Sequence, residues 1–435
     1  MSIFTLIALV KILLLLGGLM TAAAYLVLLE RWIAAWVQDR LGPNRVGIPL
    51  TKLKMFGLGQ PLADGLKFIF KEEYTPGHVD KVLYSVAPVV ILTAALAIFA
   101  VIPVGGTLPF NAEEAAHWIH EHIWFGESLV SIPTGPEAQR PIELVVAPGM
   151  DVGLIYVFAL SSIAVYGVIL GGWASNDKYS FLGGLRSSAQ LIAYELPLGL
   201  GILGVVLLAG SLKLDTIITD QAKSGVWNVF VQPLGFVVFL IASFAEAARL
   251  PFDLPECEQE LVGGYHTEYA GMRLLLFLIA EFLHMVTAAF LITILFLGGW
   301  HLWGLTGSPN TDGNFNDVTW LMAVLRVVVL GAKVMGVILF FMLVRWSWPR
   351  FRFDQLMNLA WKVMLPLGLV NLTAAALLVE YHAQSGGGGV LVDIAFGWVV
   401  LIVASVLAAI FSPLSTDNRP WKRTAEFDAE RELQA

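Results

Sequence analysis

The sequence predicts an all-α integral membrane protein of about nine transmembrane helices, with one further amphipathic helix on the cytoplasmic side. Three observations lead there. Of the 435 residues, 57% are hydrophobic and 14% charged, and the mean hydropathy is +0.75, whereas a soluble chain carries about 25% charged residues. Apolar runs of the ~20 residues needed to cross ~30 Å of hydrocarbon recur along nearly the whole chain. Lysine and arginine, finally, crowd into alternate loops.

Bounded by charges and turn residues, the apolar runs place spans at 3–29, 81–103, 151–173, 187–210, 228–248, 271–299, 319–346, 358–380 and 390–412. If odd-numbered spans end on one side, the loops there hold 20 of the 26 Lys and Arg, against Arg140, Lys213 and Lys223 opposite. The basic side is cytoplasmic by the positive-inside rule, so the N-terminus lies outside and the C-terminus inside. Ala22-Ala23-Ala24 imitates a cleavage site, but the apolar run continues to Leu29, so the segment reads as a span. The outside segment 104–150 is long and carries His117, His120 and His122. Their spacing is open to a metal, but no carboxylate partner fixes a ligand geometry, so a solvated loop without metal is expected. Gly386 to Gly389 tether the ninth span, and the charged segment after it reads as disordered or partner-bound.

The net charge of -8 offers no basic face for phosphate backbones, so no nucleic-acid partner is expected. With a single cysteine, Cys257, the chain can build neither an internal disulfide nor a thiolate-ligated iron–sulfur cluster. Any electron carrier is expected in a partner.

Two cytoplasmic segments concentrate chemistry. In the first, which runs from Glu30-Arg31-Trp32 through Arg40-Leu41-Gly42-Pro43-Asn44-Arg45, an amphipathic helix is expected near 58–73. Leu58, Leu62, Leu66 and Ile69 share one stripe, and Gln60, Asp64, Lys67 and Lys71 the other. The second segment runs from Ser243 to Glu260 and holds Glu246, Asp253, Glu256, Glu258 and Glu260 around Arg249, with Glu268 following. Glu246 ends a span, and Arg249 three residues on is expected to pair with it from the same helical face. Pro251 and Pro255 enforce non-helical backbone beside the membrane, tolerated only where it is buried in protein or lines water, so a wet acidic cavity is expected there. Within the spans themselves stand Glu195, Glu281, Arg326 and Lys333. An unpaired charge at mid-bilayer costs ~2.5–3.5 kcal/mol, so each needs a partner or water. Arg326 and Lys333 are read as glue between helices. Glu195, Glu246 and Glu281 are read as a proton path, because three helices each contribute an acid.

These residues resemble the H-type (mitochondrial subunit 1) family of respiratory complex I membrane subunits. Four blocks carry the resemblance: Glu30-Arg31 through Lys71-Glu72; Gly171-Gly172-Trp173 through Tyr194-Glu195; Glu246 through Glu281, with Pro251-Phe252-Asp253-Leu254; and Pro349-Arg350-Phe351-Arg352-Phe353-Asp354-Gln355-Leu356-Met357. The resemblance implies a membrane subunit of a proton-pumping NADH:quinone oxidoreductase, not catalytic alone. Its isoprenoid quinone substrate would enter between the first span and the amphipathic helix. It places Glu30, Arg31, Arg40 and Asp64 along that tunnel, and Asp253, Glu256, Glu258 and Glu260 on an acidic loop beneath the head-group end. Glu195, Glu246 and Glu281 become the buried acids of the proton path, with Arg249 as their partner. The partners implied are hydrophilic quinone-module subunits, which carry FMN and iron–sulfur clusters, and small and antiporter-like membrane subunits. The expected location is the inner membrane of a bacterial cell.

The chain then divides into an eight-span core (1–381), the extended periplasmic loop 104–150, a linker with an additional ninth span (382–412), and a cytoplasmic tail (413–435). The ninth span and tail depart from the usual family pattern. So do Ala247-Ala248, where the family commonly has Thr-Asn before the Arg. Two other readings compete: the equivalent subunit of a complex-I-like membrane hydrogenase, and a free-standing ion-coupled transporter. The intact tunnel residues favour quinone over the first, and the absence of paired broken helices in two halves disfavours the second.

Overall fold

The computed structural model describes residues 2–47, 56–122, 139, 141–253, 262–307, 319–385 and 389–411. In chain order its elements are α1 (Ile3–Val37), α2 (Gln60–Phe70), α3 (Lys81–Ile98), β1 (Thr107–Asn111), α4 (Ala112–His122), β2 (Pro141–Glu143), α5 (Gly153–Ala174), α6 (Lys178–Ala209), α7 (Leu214–Ser224), α8 (Asn228–Val231), α9 (Pro233–Glu246), α10 (Gly271–Phe296), α11 (Trp320–Ser347), α12 (Phe353–Ser385) and α13 (Val390–Phe411). Eight of these, α1, α3, α5, α6 and α10 to α13, are long and apolar enough to cross a membrane.

The fifth predicted span is interrupted. Four-residue α8 stops at Gln232, whose backbone (φ -126, ψ 62) is not helical, and Pro233 starts the 14-residue α9. Proline is suited to a first helical turn, where its missing N–H is not needed, and unsuited to a helix interior. At ~1.5 Å per residue α9 rises about 21 Å, less than the hydrocarbon thickness.

Side-chain caps mark where several of the other helices begin. Asp177 accepts from the N–H groups of Tyr179 (2.8 Å) and Ser180 (3.2 Å), which starts α6 nine residues before the predicted boundary. Asp80 caps α3 and Thr319 caps α11 in the same way. The 35 residues of α1 rise about 52 Å, longer than the hydrocarbon is thick, and Glu30 and Arg31 lie in its last turns. The predicted outside loops contain structure of their own. An antiparallel β1–β2 pair and α4 lie within 104–150, where His122 stacks on Trp118. In the next outside loop α7 buries Leu214, Ile217 and Ile218. Inside the bundle α5 and α6 approach with almost no side chain between them. A Cβ on Gly172 would lie 2.8 Å from the Ser180 carbonyl oxygen, so only glycine allows this contact.

Two of the intramembrane cations are fixed by backbone. Lys333 Nζ donates to the carbonyls of Leu297 (2.7 Å), Gly299 (3.0 Å) and His301 (2.7 Å) just past the end of α10. Arg326 donates to Thr306 O (3.1 Å) and lies 4.6 Å over the Trp300 ring. Both join α11 to the α10 end.

Candidate functional site

Glu30, near the C-terminal end of α1, is clasped by two arginines. Arg249 Nη1 reaches its Oε2 at 3.4 Å, and Arg345 Nη1, from the last turn of α11, donates to Oε1. The Arg249 guanidinium also lies 4.2 Å over the Phe282 ring of α10. Next along α1, Arg31 donates to Asp64 of α2 at 2.7 Å, and Gln60 donates to the other Asp64 oxygen at 3.0 Å. The ion pair holds the amphipathic helix across the end of the first span. Its predicted apolar stripe, Leu58, Leu62, Leu66 and Ile69, is exposed, as expected of a face turned to lipid.

Between these groups lies a cavity of about 1300 Å³. Its wall includes Glu30, Arg31, Arg40 and Asp64, the four residues assigned to a tunnel from the sequence, and also Arg249, Arg345 and Glu281. Apolar Met20, Val27, Leu275 and Ile279 line it as well.

A second, smaller cavity of about 50 Å³ lies deeper. It gathers Glu195 of α6, Glu246 of α9 and Glu281 of α10, with His284 one turn beyond Glu281. A water needs roughly 10–15 Å³ of such space, so about three fit. Ser162 of α5 donates to Glu195, Ser161 hydrogen-bonds Glu246, and Tyr265 donates to Glu281 at 3.1 Å, with His266 Nε2 3.6 Å from the same carboxylate. The three acids predicted on separate helices thus border one chamber, and Glu281 borders both cavities.

The pairing expected between Arg249 and Glu246 is not the one formed. Helix α9 ends with the N–H of Ala248 on Ala245 O and that of Arg249 on Phe244 O, and Ala248 is left-handed at φ 50. This is a Schellman cap, which turns the chain sharply after the helix. Its left-handed position usually takes glycine or asparagine. The turn leaves Glu246 facing the small chamber and swings Arg249 round to Glu30. Helical spacing holds to Glu246 and no further.

The loop that follows is pinned from two sides. Gln190 of α6 donates to Ala245 O (2.8 Å) and Phe252 O (2.7 Å), and buried Asp253 accepts from Arg350 Nη2 at 2.9 Å. Phe252 stacks on Phe351 at 5.5 Å. The Pro349-to-Met357 block therefore braces Phe252 and Asp253. Glu256, Glu258 and Glu260, with Cys257, lie outside the described residues, as does the tail 413–435.

Known proteins are similar to this chain in sequence along most of its length. A family model described as NADH dehydrogenase matches residues 10–376. The NADH-quinone oxidoreductase H subunit of Leptospira biflexa serovar Patoc is 44% identical over 86% of this chain and 95% of its own length. The chain belongs to the NADH-quinone oxidoreductase H-type family. The first H-type protein of Geobacter metallireducens is 45% identical, over 84% of this chain and 94% of its own, and the second of Koribacter versatilis 41%, over 87% and 98%. The family-model match ends before α13, so the ninth span lies outside the matched region while every described site residue lies inside it.

Sequence patterns do not single out Arg345, His284, Ser161, Ser162 or Tyr265. Arg345 stands in the sequence only as one more loop charge. A histidine in an apolar helix gives no signal alone, although its spacing of three from Glu281 places both on one helical face. The serines carry no signal at all.

Proposed function

We propose that this chain forms the quinone-access chamber of a proton-translocating NADH:quinone oxidoreductase and couples quinone reduction to proton movement through its buried carboxylates. The observation that carries the reading is Glu281, which borders both the large cavity and the small acidic chamber. A quinone tail enters past α2, between its exposed apolar stripe and α1, and the apolar wall receives it. The polar head is drawn toward the arginine-lined end. Electrons arrive from partner subunits that carry FMN and iron–sulfur clusters, and the reduced head takes up protons. A change of charge in the large cavity is felt at Glu281, and the small chamber, with room for about three waters, passes it to Glu246 and Glu195. The other subunits of the complex, hydrophilic ones at the cytoplasmic face and small and antiporter-like ones in the membrane, complete the path.

The asymmetry of Lys and Arg supports insertion with the N-terminus outside and the C-terminus cytoplasmic, and the bacterial relatives support the inner membrane. The test is Glu281→Gln in the intact complex. Gln keeps the volume but exchanges no proton. Quinone reduction and pumping should fall together while NADH oxidation by an artificial acceptor is spared. A fully coupled variant ends the proposal.

A further inference from the structure

The interruption between α8 and α9 leaves a second polar site, at the end of α9 opposite Glu246. Gln232 and Asn371, from α12, are 6% and 4% exposed. Gln232 Nε2 donates to Gly204 O at 2.9 Å, but Gln232 Oε1 and Asn371 Nδ2 have no hydrogen-bond partner among the described residues. Both converge on the same backbone, since a Cβ on Gly204 would lie 2.6 Å from Asn371 Nδ2 and 2.8 Å from Gln232 Oε1. Beside them is a cavity of about 20 Å³, bordered by Val231, Gln232, Asn371, Phe396 and Gly397. That volume suits one water, and a buried donor and acceptor without partners are what such a water satisfies.

The last two of those residues belong to α13. Gly397 sits so close to the interruption that a Cβ there would be 2.0 Å from the Val231 carbonyl oxygen. Leu234 and Val238 of α9 form an apolar cluster with Met364 and Ala404, and Val400 and Leu401 pack on it. Across the linker, His382 Nε2 meets Asp393 Oδ1 at 2.8 Å. Lipid offers no hydrogen bonds to an interrupted helix, so the break needs a protein cover.

We propose that this cavity binds a single water, bridging Asn371 Nδ2 and Gln232 Oε1, and that α13 is the lid that closes it from the bilayer. The water accepts from the Asn371 amide and donates to the Gln232 carbonyl oxygen. The ninth helix is then a tethered cover for a polar break in the bundle, and takes no part in the quinone or proton chemistry.

Two measurements test this in the intact complex. A density map that resolves waters should show one ordered water within hydrogen-bonding distance of both amides. An empty cavity, lipid density, or a direct amide-to-amide bond overturns the site. In hydrogen–deuterium exchange, Gly397→Leu should push α13 off the Val231 carbonyl and speed exchange over residues 228–246 by about tenfold, which corresponds to ~1.4 kcal/mol of lost protection. Exchange around Glu281 should not change. If Gly397→Leu prevents assembly, Gly397→Ala supplies a smaller displacement with the same sign. Unchanged exchange at the interruption in an assembled variant overturns the lid.

Discussion

The two cavities that meet at Glu281 are built from opposite chemistry. The large one is bordered by five arginines and three acids, with Glu30 held between Arg249 and Arg345 and Asp64 held by Arg31. The small one sets three glutamates, one histidine and neutral hydroxyls among apolar side chains such as Ile91, Val168 and Leu191, with no Lys or Arg among its lining residues. Charges locked in mutual pairs give a wall that keeps its shape while something large passes. Acids set among hydroxyls and imidazole can gain and lose protons without breaking a pair to a permanent cation. The proposed function rests on this contrast, with substrate in one cavity and protons in the other.

The sharpest way to break that contrast is Glu246→Gln, alone and with Glu281→Gln. Quinone-linked turnover and pumping should drop on the order of 10²-fold, the lower range for loss of a proton-transferring group, with assembly intact on native gels. If assembly is lost instead, the small chamber serves packing and not protons. Arg249→Ala acts on the other side of the contrast. Breaking a buried pair costs about 3–5 kcal/mol, but Arg345 keeps Glu30 paired, so a loss of roughly 2 kcal/mol is expected. It should appear as earlier thermal loss of activity, and Arg249→Lys should recover only part, because the stacking on Phe282 is lost.

At the mouth, where Arg31 is half exposed, the effect should be smaller. Asp64→Asn or Arg40→Ala should raise the KM for quinone by about tenfold, or ~1.4 kcal/mol, and leave NADH oxidation by an artificial acceptor unchanged. Equal losses in both assays would sink the tunnel assignment.

The smallest effect lies outside both cavities and calibrates them. Burial pushes the Asp215 carboxyl in α7 up from 3.8 to about 6, helped by nearby Glu143 and opposed by Lys213. The folded state therefore holds this proton more tightly than the unfolded chain, and ionisation opposes folding. That penalty is absent below the ordinary value of 3.8 and complete above about 6. Asp215→Asn should accordingly stabilise the protein by roughly 1 kcal/mol at pH 7, after allowance for partial solvent exposure, with the gain vanishing as pH falls toward 4. Thermal unfolding followed across that pH range checks the sign, and a gain that grows on acidification would refute the burial of this group.

How much of this is legible in the sequence differs from residue to residue. Spans with long apolar runs are readable because hydrocarbon imposes length and composition, and α5 and α10 fall within a few residues of expectation. The start of α6 departs from its predicted place because a cap is a local hydrogen bond that overrides a hydropathy edge. The fifth span reads as continuous by hydropathy, although Pro233 marks the break that the structure places at Gln232. The α4 and α7 helices hide in segments whose apolar residues are too few to stand out. Glu30, Arg31, Arg40 and Asp64 emerge through the family blocks, and the structure adds that they border one space.

The sequence by itself determined the solvent and the acids: hydrocarbon length fixes the spans, and a carboxyl inside an apolar run marks itself by its cost. Only the tertiary structure decided the partners. Arg249 is three residues from Glu246 and 219 from Glu30, yet it joins the distant one. A left-handed turn at Ala248 re-aims the chain, and Glu30 of α1 and Phe282 of α10 close on the guanidinium. Spacing along a chain specifies neighbours only while the helix lasts. Beyond its last turn the three-dimensional packing chooses, because a buried charge goes to whichever opposite charge the fold brings within reach.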